Sequence, residues 1–261
     1  MTLEIEDLTI DLHGRRVVDG VSLRIAEGER LGLIGESGSG KSLTALAVLG
    51  LLPRHAIVGG SIRLDGRELV GLADGDFARI RGKQAAIVFQ EPATALNPVR
   101  TVGAQIAEPL RVHYGLSKAQ ARERVVRLAE RVALPDPERI IRQYPHQLSG
   151  GQRQRVAIAV ALSTDPRLII ADEPTTALDV TIQAGILDLF DRTVADTGAS
   201  LLFITHDFAV LSQIAPRAVV LADGAVVETG SVHDIVHTPR HPVTRALADA
   251  ARATSWTEQA S

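Results

Sequence analysis

Two glycine-rich stretches, more than a hundred positions apart, constrain this chain more than any other feature. Gly35-Glu36-Ser37-Gly38-Ser39-Gly40-Lys41-Ser42 is a complete G-x-x-x-x-G-K-[ST] loop. In such a loop the glycines let successive backbone N–H groups turn toward the β- and γ-phosphates of a nucleotide, the lysine neutralises their charge, and the hydroxyl supplies an oxygen to Mg²⁺. Lys41 and Ser42 take those roles here, and Leu43 continues the cradle into the following helix. Leu148-Ser149-Gly150-Gly151-Gln152 reads as a Ser N-cap and a Gly pair opening a helix. That is a second place where orphan N–H groups and the helix dipole favour an anion. One nucleotide does not need both loops from one molecule. The economical arrangement is a pair of subunits, each presenting its second loop to the nucleotide held by the other's first.

The flanking sequence supplies the strand–loop–helix context that the first motif requires. Leu3, Ile5, Leu8, Ile10 and Leu12 alternate around one break, and Val21, Leu23 and Ile25 repeat the period of two. Two half-buried antiparallel strands are predicted there. Leu31-Gly32-Leu33-Ile34 is a short buried strand feeding the loop, and a helix runs from Lys41 to about Leu51, stopped by Pro53. Strands at 61–64 and 86–89 follow. From about Glu91 to Ala161 the period turns helical, with a capping box at Ser117-Lys118-Ala119-Gln120 ahead of Val125, Leu128, Ala129 and Val132, and Pro135 and Pro137 closing that helix. Beyond it come a buried strand at 168–171, a helix from about Val180 to Val194, a buried strand at 200–204, and a hairpin about Asp223-Gly224. Ser231 caps a short helix, and the polar end from Thr254 is expected to fray.

The predicted class is therefore α/β: a P-loop NTPase (RecA-like) core over 1–90 and 162–230, with an N-terminal antiparallel β-subdomain. A helical subdomain is inserted at 91–161, and 231–261 forms a C-terminal extension, all within one domain spanning 1–261. At 261 residues and 45% hydrophobic content the chain can bury a substantial core. A formal charge of -3 with no Lys/Arg block gives no electrostatic reason to expect nucleic acid as a partner. The absence of cysteine excludes disulfides and thiolate metal sites. The first residues, Met1 to Glu6, lack the pattern of a signal peptide, and no run of roughly 18 apolar residues could span a bilayer. A cytosolic protein is expected, so that any membrane process it serves needs other chains to cross the membrane.

The strand at 168–171 ends in Asp172-Glu173, delivering two carboxylates to the edge of a buried sheet. Burying them without partners is expensive. Asp172 is placed to hold Mg²⁺, directly or through water, as the acidic residue does in P-loop NTPases. Glu173 can accept a proton from an attacking water, a contribution of about 10²–10⁴-fold in rate.

The set of residues 35–42, Gln90, Leu148 to Gln152, Asp172-Glu173, Ala177-Leu178-Asp179 and His206, in this order and spacing over residues 3 to 230, resembles the nucleotide-binding subunit of an ABC transporter. A P-loop alone names a nucleotide binder; Leu-Ser-Gly-Gly-Gln in its place distinguishes the ABC class. The resemblance implies ATP and Mg²⁺ as ligands, with Gln90 contacting Mg²⁺ and the lytic water. It makes His206 the group that hydrogen-bonds the γ-phosphate, and Asp179 a link between subunits. Adenine usually stacks on an aromatic ring near the first hairpin in this family. Here Leu12-His13-Gly14-Arg15-Arg16 offers only His13, with Arg15 or Arg16 as cation–π substitutes.

The segments from Phe89 to Leu110, from Asp172 to Thr181, and His241-Pro242-Val243-Thr244-Arg245-Ala246-Leu247 are similar to those of dipeptide, oligopeptide and nickel importer ATPases. That resemblance implies a second ABC ATPase subunit (a paralogue or an identical copy), two integral membrane permease subunits, and an extracellular substrate-binding protein. It also implies a peripheral place on the cytoplasmic face of the membrane. Peptide uptake is the first expectation. Many peptide-importer relatives carry a cysteine cluster beyond the His241 segment, and this cysteine-free, shorter chain is also similar to nickel and metallophore importers. An exporter and a non-transport ABC ATPase are the remaining alternatives.

Overall fold

Alternation and turn chemistry account for the first half of the chain. The structure, a computed structural model, describes residues 2–176 and 178–258. Ala177 of the Ala-Leu-Asp segment and residues 259–261 of the terminus lie outside them. Strands β1 (Leu3–Leu12) and β2 (Arg15–Ile25) form an antiparallel hairpin whose inward residues Leu3, Ile5, Leu8, Ile10, Val21, Leu23 and Ile25 are buried. Strand β3 (Arg30–Gly35) leads into the P-loop and helix α1 (Lys41–Val48). The helix stops short of the expected Leu51. Gly50 adopts φ +59°, its N–H donates to the Ala47 carbonyl, and the Leu51 N–H donates to that of Leu46. This is a left-handed glycine cap, so the glycine ends the helix before Pro53 can. Strands β4 (Ile57–Leu64) and β5 (Arg67–Glu68) extend the hairpin into an antiparallel sheet of order β2-β1-β4-β5.

A short helix α2 (Asp74–Ile80) precedes strand β6 (Ala85–Val88). Then come helices α3 (Pro92–Ala95), α4 (Val102–Tyr114), α5 (Lys118–Arg131), α6 (Pro137–Ile140) and α7 (Gly150–Leu162). The capping box at Ser117 and Gln120 is present, and Ala121, Val125, Leu128 and Ala129 form the buried stripe of α5. Helix α5 ends at Arg131, where Ala133 takes φ +54° ahead of the prolines. Strand β7 (Leu168–Asp172), helix α8 (Val180–Thr197), strand β8 (Ser200–Thr205), helix α9 (Phe208–Ile214), strands β9 (Arg217–Ala222) and β10 (Ala225–Ser231), and helices α10 (Val232–His237) and α11 (Pro242–Glu258) complete the chain. The backbone is thus helical from Thr254 to Glu258, where fraying was expected.

Two units are distinct: residues 1–78 with 198–261, and residues 79–197. In the first, β8, β3 and β9 run parallel, and β10 pairs antiparallel with β9 through the left-handed Asp223-Gly224 turn. Leu31, Leu33, Ile34, Leu201 to Ile204 and Val219 to Leu221 are buried, as continuous apolar runs in parallel strands demand. In the second unit β6 and β7 pair in parallel, and α7 packs on β6 with Val156 and Ile158 buried. Among the described residues no helix is long and apolar enough to cross a membrane.

Candidate nucleotide-binding site

The β3–α1 junction is shaped by contacts that only glycine permits. A Cβ on Gly35 would lie 2.2 Å from the Leu221 carbonyl oxygen and 2.7 Å from Ser39 Oγ. Gly38 and Gly40 hold φ +84° and +100°, a region that L side chains rarely enter. The resulting loop wraps the Lys41 side chain, which is only 5% exposed, so that Nζ donates to the carbonyls of Gly35 and Glu36, each at 2.8 Å. Thr44 Oγ1 ties back to the Gly40 carbonyl at 2.9 Å. Ser39 Oγ is buried with no hydrogen-bond partner in the protein. A buried hydroxyl without a partner costs about 1–3 kcal/mol, and a phosphate oxygen at the loop would relieve it. The residues fit a nucleotide's phosphates: a buried cation, a buried hydroxyl without a partner, and the N-terminal end of a helix, where the dipole favours an anion. Ser37 and Ser42 are exposed at the same loop, Glu36 is exposed beside them, and Leu43 is half-buried behind it.

His206 belongs to the same edge. Ile34 of β3 is in register with Thr205 of β8, so Gly35, the last residue of β3, and His206, the first after β8, lie at the same end of the sheet. His206 is exposed, and Asp207 begins α9 by accepting from the Ala209 N–H at 2.7 Å. At the tip of the β1–β2 hairpin, His13 takes φ +51° and its ring lies 4.0 Å from that of His55, tilted by 37°. His55 was not visible in the sequence, where Pro53-Arg54-His55 reads as an ordinary turn after a helix. Antiparallel pairing of Asp11 with Ile57 brings the two histidines together.

In the second unit, register again does the positioning. Val88 pairs with Ala171, and two residues beyond each lie Gln90 and Glu173. Gln90 Nε2 donates to Glu173 Oε2 at 3.1 Å. Glu173 also accepts from Thr176 Oγ1 at 3.0 Å, and its own carbonyl accepts the Thr176 N–H. Thr176 was missed by sequence reasoning; a hydroxyl three residues beyond a strand-end acid is the signal that marks it. Glu173 holds φ +45°, a left-handed conformation that costs a non-glycine residue about 1–2 kcal/mol. Strain of this kind clusters at functional sites. Asp172, 6% exposed, is the buried end of β7. Asp179 Oδ1 accepts the Ile182 N–H at 2.9 Å and so caps the start of α8.

Ser149 is the N-cap of α7 in a full capping box: Oγ accepts from the Gln152 N–H, and Gln152 Oε1 accepts from the Ser149 N–H. Arg153 Nη1 donates to the Leu148 carbonyl at 2.8 Å. Ser149 and Gly150 remain exposed, with open space where a Gly150 side chain would be. A Cβ on Gly151 would come within 2.9 Å of Ile182, so the second glycine serves packing against α8.

Fold and site define a nucleotide-binding cassette in which two helices, α1 and α7, begin at glycine-rich segments. The profile of the ABC transporter family matches residues 18–176, and the chain belongs to that family. It is 50% identical over 250 residues to the oligopeptide transport ATP-binding protein OppD of Mycobacterium bovis, covering 94% of this chain and 41% of that protein. It thus spans about two-fifths of that relative's length. It is 48% identical over 232 residues to the oligopeptide transport ATP-binding protein AppD of Bacillus subtilis, covering 88% of this chain and 71% of that one. Among solved structures, the ATP-binding cassette MJ0796, a dimer in a post-hydrolysis state bound to ADP and Pi, matches with a TM-score of 0.79 and 30% identity, over 88% of this chain and 98% of the other.

Proposed function

We propose that the chain is the ATP-binding subunit of an ABC importer, hydrolysing ATP at a head-to-tail dimer interface to drive uptake of oligopeptides through membrane permease subunits. The observation that carries this is the pairing of a buried-lysine phosphate cradle with a second helix start whose Ser149 and Gly150 stay exposed for another molecule's nucleotide. Relatives named for oligopeptide transport favour peptides over nickel as cargo.

In this account residues 35–42 with Leu43 grip the triphosphate, and Lys41 neutralises it. Ser42, Asp172 and Gln90 would hold Mg²⁺, which when bound would supply positive charge to offset that of the triphosphate. Glu173, oriented by Gln90 and Thr176, takes the proton of the attacking water, and His206 orients that water against the γ-phosphate. Ser149, Gly150, Gly151 and Gln152 serve the partner's nucleotide, and Asp179 couples the two subunits. His13, backed by His55, replaces the usual aromatic ring under the base. The subunit sits peripherally on the cytoplasmic face, receiving cargo that an extracellular binding protein delivers to the permease. Closure persists only while the γ-phosphate is present, a population shift driven by differential affinity.

Uptake of a labelled oligopeptide into proteoliposomes holding the assembled complex tests this directly. Wild-type complex should accumulate peptide only with ATP on the side of this subunit, and a Glu173→Gln complex should bind nucleotide without transporting. Uptake that ignores ATP, or survives the substitution intact, contradicts the proposal.

A further inference from the structure

His233-Asp234-Ile235-Val236-His237 sets two histidines four residues apart on α10, with an acid directly after the first. Residues at i and i+4 share a helix face, and the same spacing in H-E-x-x-H holds Zn²⁺ through both imidazoles. The two rings are stacked here, with centroids 4.3 Å apart and planes 23° from parallel. His237 Nδ1 lies 2.8 Å from the His233 carbonyl oxygen. A carbonyl only accepts, so that nitrogen carries the proton and Nε2 keeps its lone pair. His233 Nδ1 stands 3.5 Å from Asp234 Oδ1, which selects the same tautomer. Hydrogen bonds with Ser231 and then with His233 hold the Asp234 carboxyl below the ordinary carboxylate range, so it is an acceptor at neutral pH.

A carbonyl and a carboxylate behind the two rings are the supports that orient metal-bound imidazoles. Zn²⁺ with bonds of about 2.0–2.1 Å bridges nitrogens roughly 3.4 Å apart in tetrahedral geometry. The His233 side chain is 78% exposed, so its ring can make the small turn this requires at little cost. Both rings border a cavity of about 470 Å³ with Phe208, Val232, Val236 and Arg252, which leaves room for waters at the remaining coordination positions. Charge does not oppose an ion there. Arg252 pairs with Asp249 at 3.2 Å and donates to the Val236 carbonyl at 2.6 Å, while Arg240 acts on Asp234, so two carboxylates offset two guanidinium groups. Among the described residues no third His, Cys, Asp or Glu completes a metal-binding group, so the protein supplies two ligands and solvent the rest.

We propose that His233 and His237 form a binding site for a divalent transition metal of the Zn²⁺ class. Imidazole suits Zn²⁺ and Cu²⁺, whereas Mg²⁺ takes oxygen ligands, so this ion is chemically distinct from the one assigned to the triphosphate. It ties the first turn of α10 to the last, and so stiffens a helix that packs against α9 and α11. The inference stands apart from the transporter reading: it holds whatever the cargo, and its test reads metal rather than transport.

The untagged chain, stripped of metal with a chelator, should take up Zn²⁺ at this site with submillimolar affinity in isothermal titration. His233→Ala or His237→Ala should weaken that binding at least about tenfold, while each variant binds a fluorescent ATP analogue as the wild type does. His55→Ala, which breaks the close pair with His13, should leave Zn²⁺ binding unchanged. With Cu²⁺ as a spectroscopic probe, electron spin-echo spectra should show two imidazole nitrogens in the wild-type chain and one in either alanine variant. Should an alanine variant misfold, the wild-type spectrum decides, and fewer than two coordinated imidazoles overturns the proposal. So does the absence of saturable Zn²⁺ uptake, binding that survives both alanine substitutions, or binding lost with His55→Ala.

Discussion

A single methyl group at position 35 would collide with the chain's own backbone. The 2.2 Å approach to the Leu221 carbonyl leaves no flexible atom to yield, and 2.7 Å to Ser39 Oγ distorts the loop that surrounds Lys41. Gly35→Ala should lower stability by about 1–3 kcal/mol and weaken ATP binding, read by urea unfolding and nucleotide titration; unchanged values for both would contradict the geometry. Glu173 is the opposite case, a residue held in a costly conformation by Gln90 and Thr176. Glu173→Gln should retain nucleotide binding yet slow turnover about 10²-fold or more in a steady-state phosphate-release assay, and turnover near the wild-type rate would remove it from the base role. The strand–loop–helix setting of residues 35–42 and the place of Asp172-Glu173 at the end of β7 were legible because apolar runs and glycine spacing mark them. His55 and Thr176 were not, since their roles arise from a strand register and a turn that no local pattern announces.

Helix ends and hairpins carry the next level of order. Ser149 caps α7, a job that substitution can isolate from the proposed one at a partner's nucleotide. Removing the cap with Ser149→Ala should cost about 1 kcal/mol in thermal or urea unfolding, because the Gln152 N–H loses its acceptor. Glu68 staples the β4–β5 hairpin in a comparable way. Burial pushes its carboxyl up, but the Ser61 hydroxyl at 2.5 Å and the N–H groups of Ile62, Val70 and Leu69 outweigh burial and hold it below the ordinary carboxylate range. A depressed value in the folded state stabilises the fold fully above the unfolded group's pKa, about 4.3. That stabilisation is lost as pH falls below it toward the folded value. Glu68→Gln should therefore flatten the acid limb of the stability profile in urea unfolding between about pH 3 and 6, and an unaltered slope would show that the staple does not contribute. At this scale most elements were readable from apolar periodicity, including the capping box at Ser117 and the Asp223-Gly224 hairpin. The boundaries that shifted did so at residues with positive φ: Gly50 ended α1 and Ala133 ended α5, each ahead of the proline that composition suggested. A left-handed cap at Ala133 has no sequence signature, and the helical backbone at 254–258 was hidden by its polar composition.

The whole molecule carries two glycine-rich helix starts, and the account requires that each be completed across a pair of subunits, whether an identical copy or a paralogue. The family and the α/β architecture were legible because one motif fixes the nucleotide cradle and the other fixes the class. The most direct test mixes two inactive variants. Lys41→Ala spoils the cradle and Ser149→Arg spoils the loop offered to the partner, so each alone should be nearly without ATPase activity. Mixed in equal amounts with random exchange, half the dimers contain one of each, and one of their two sites is built wholly from intact parts. The account predicts recovery of about a quarter of the wild-type activity in a symmetric dimer, and a mixture no more active than its separate components would contradict it.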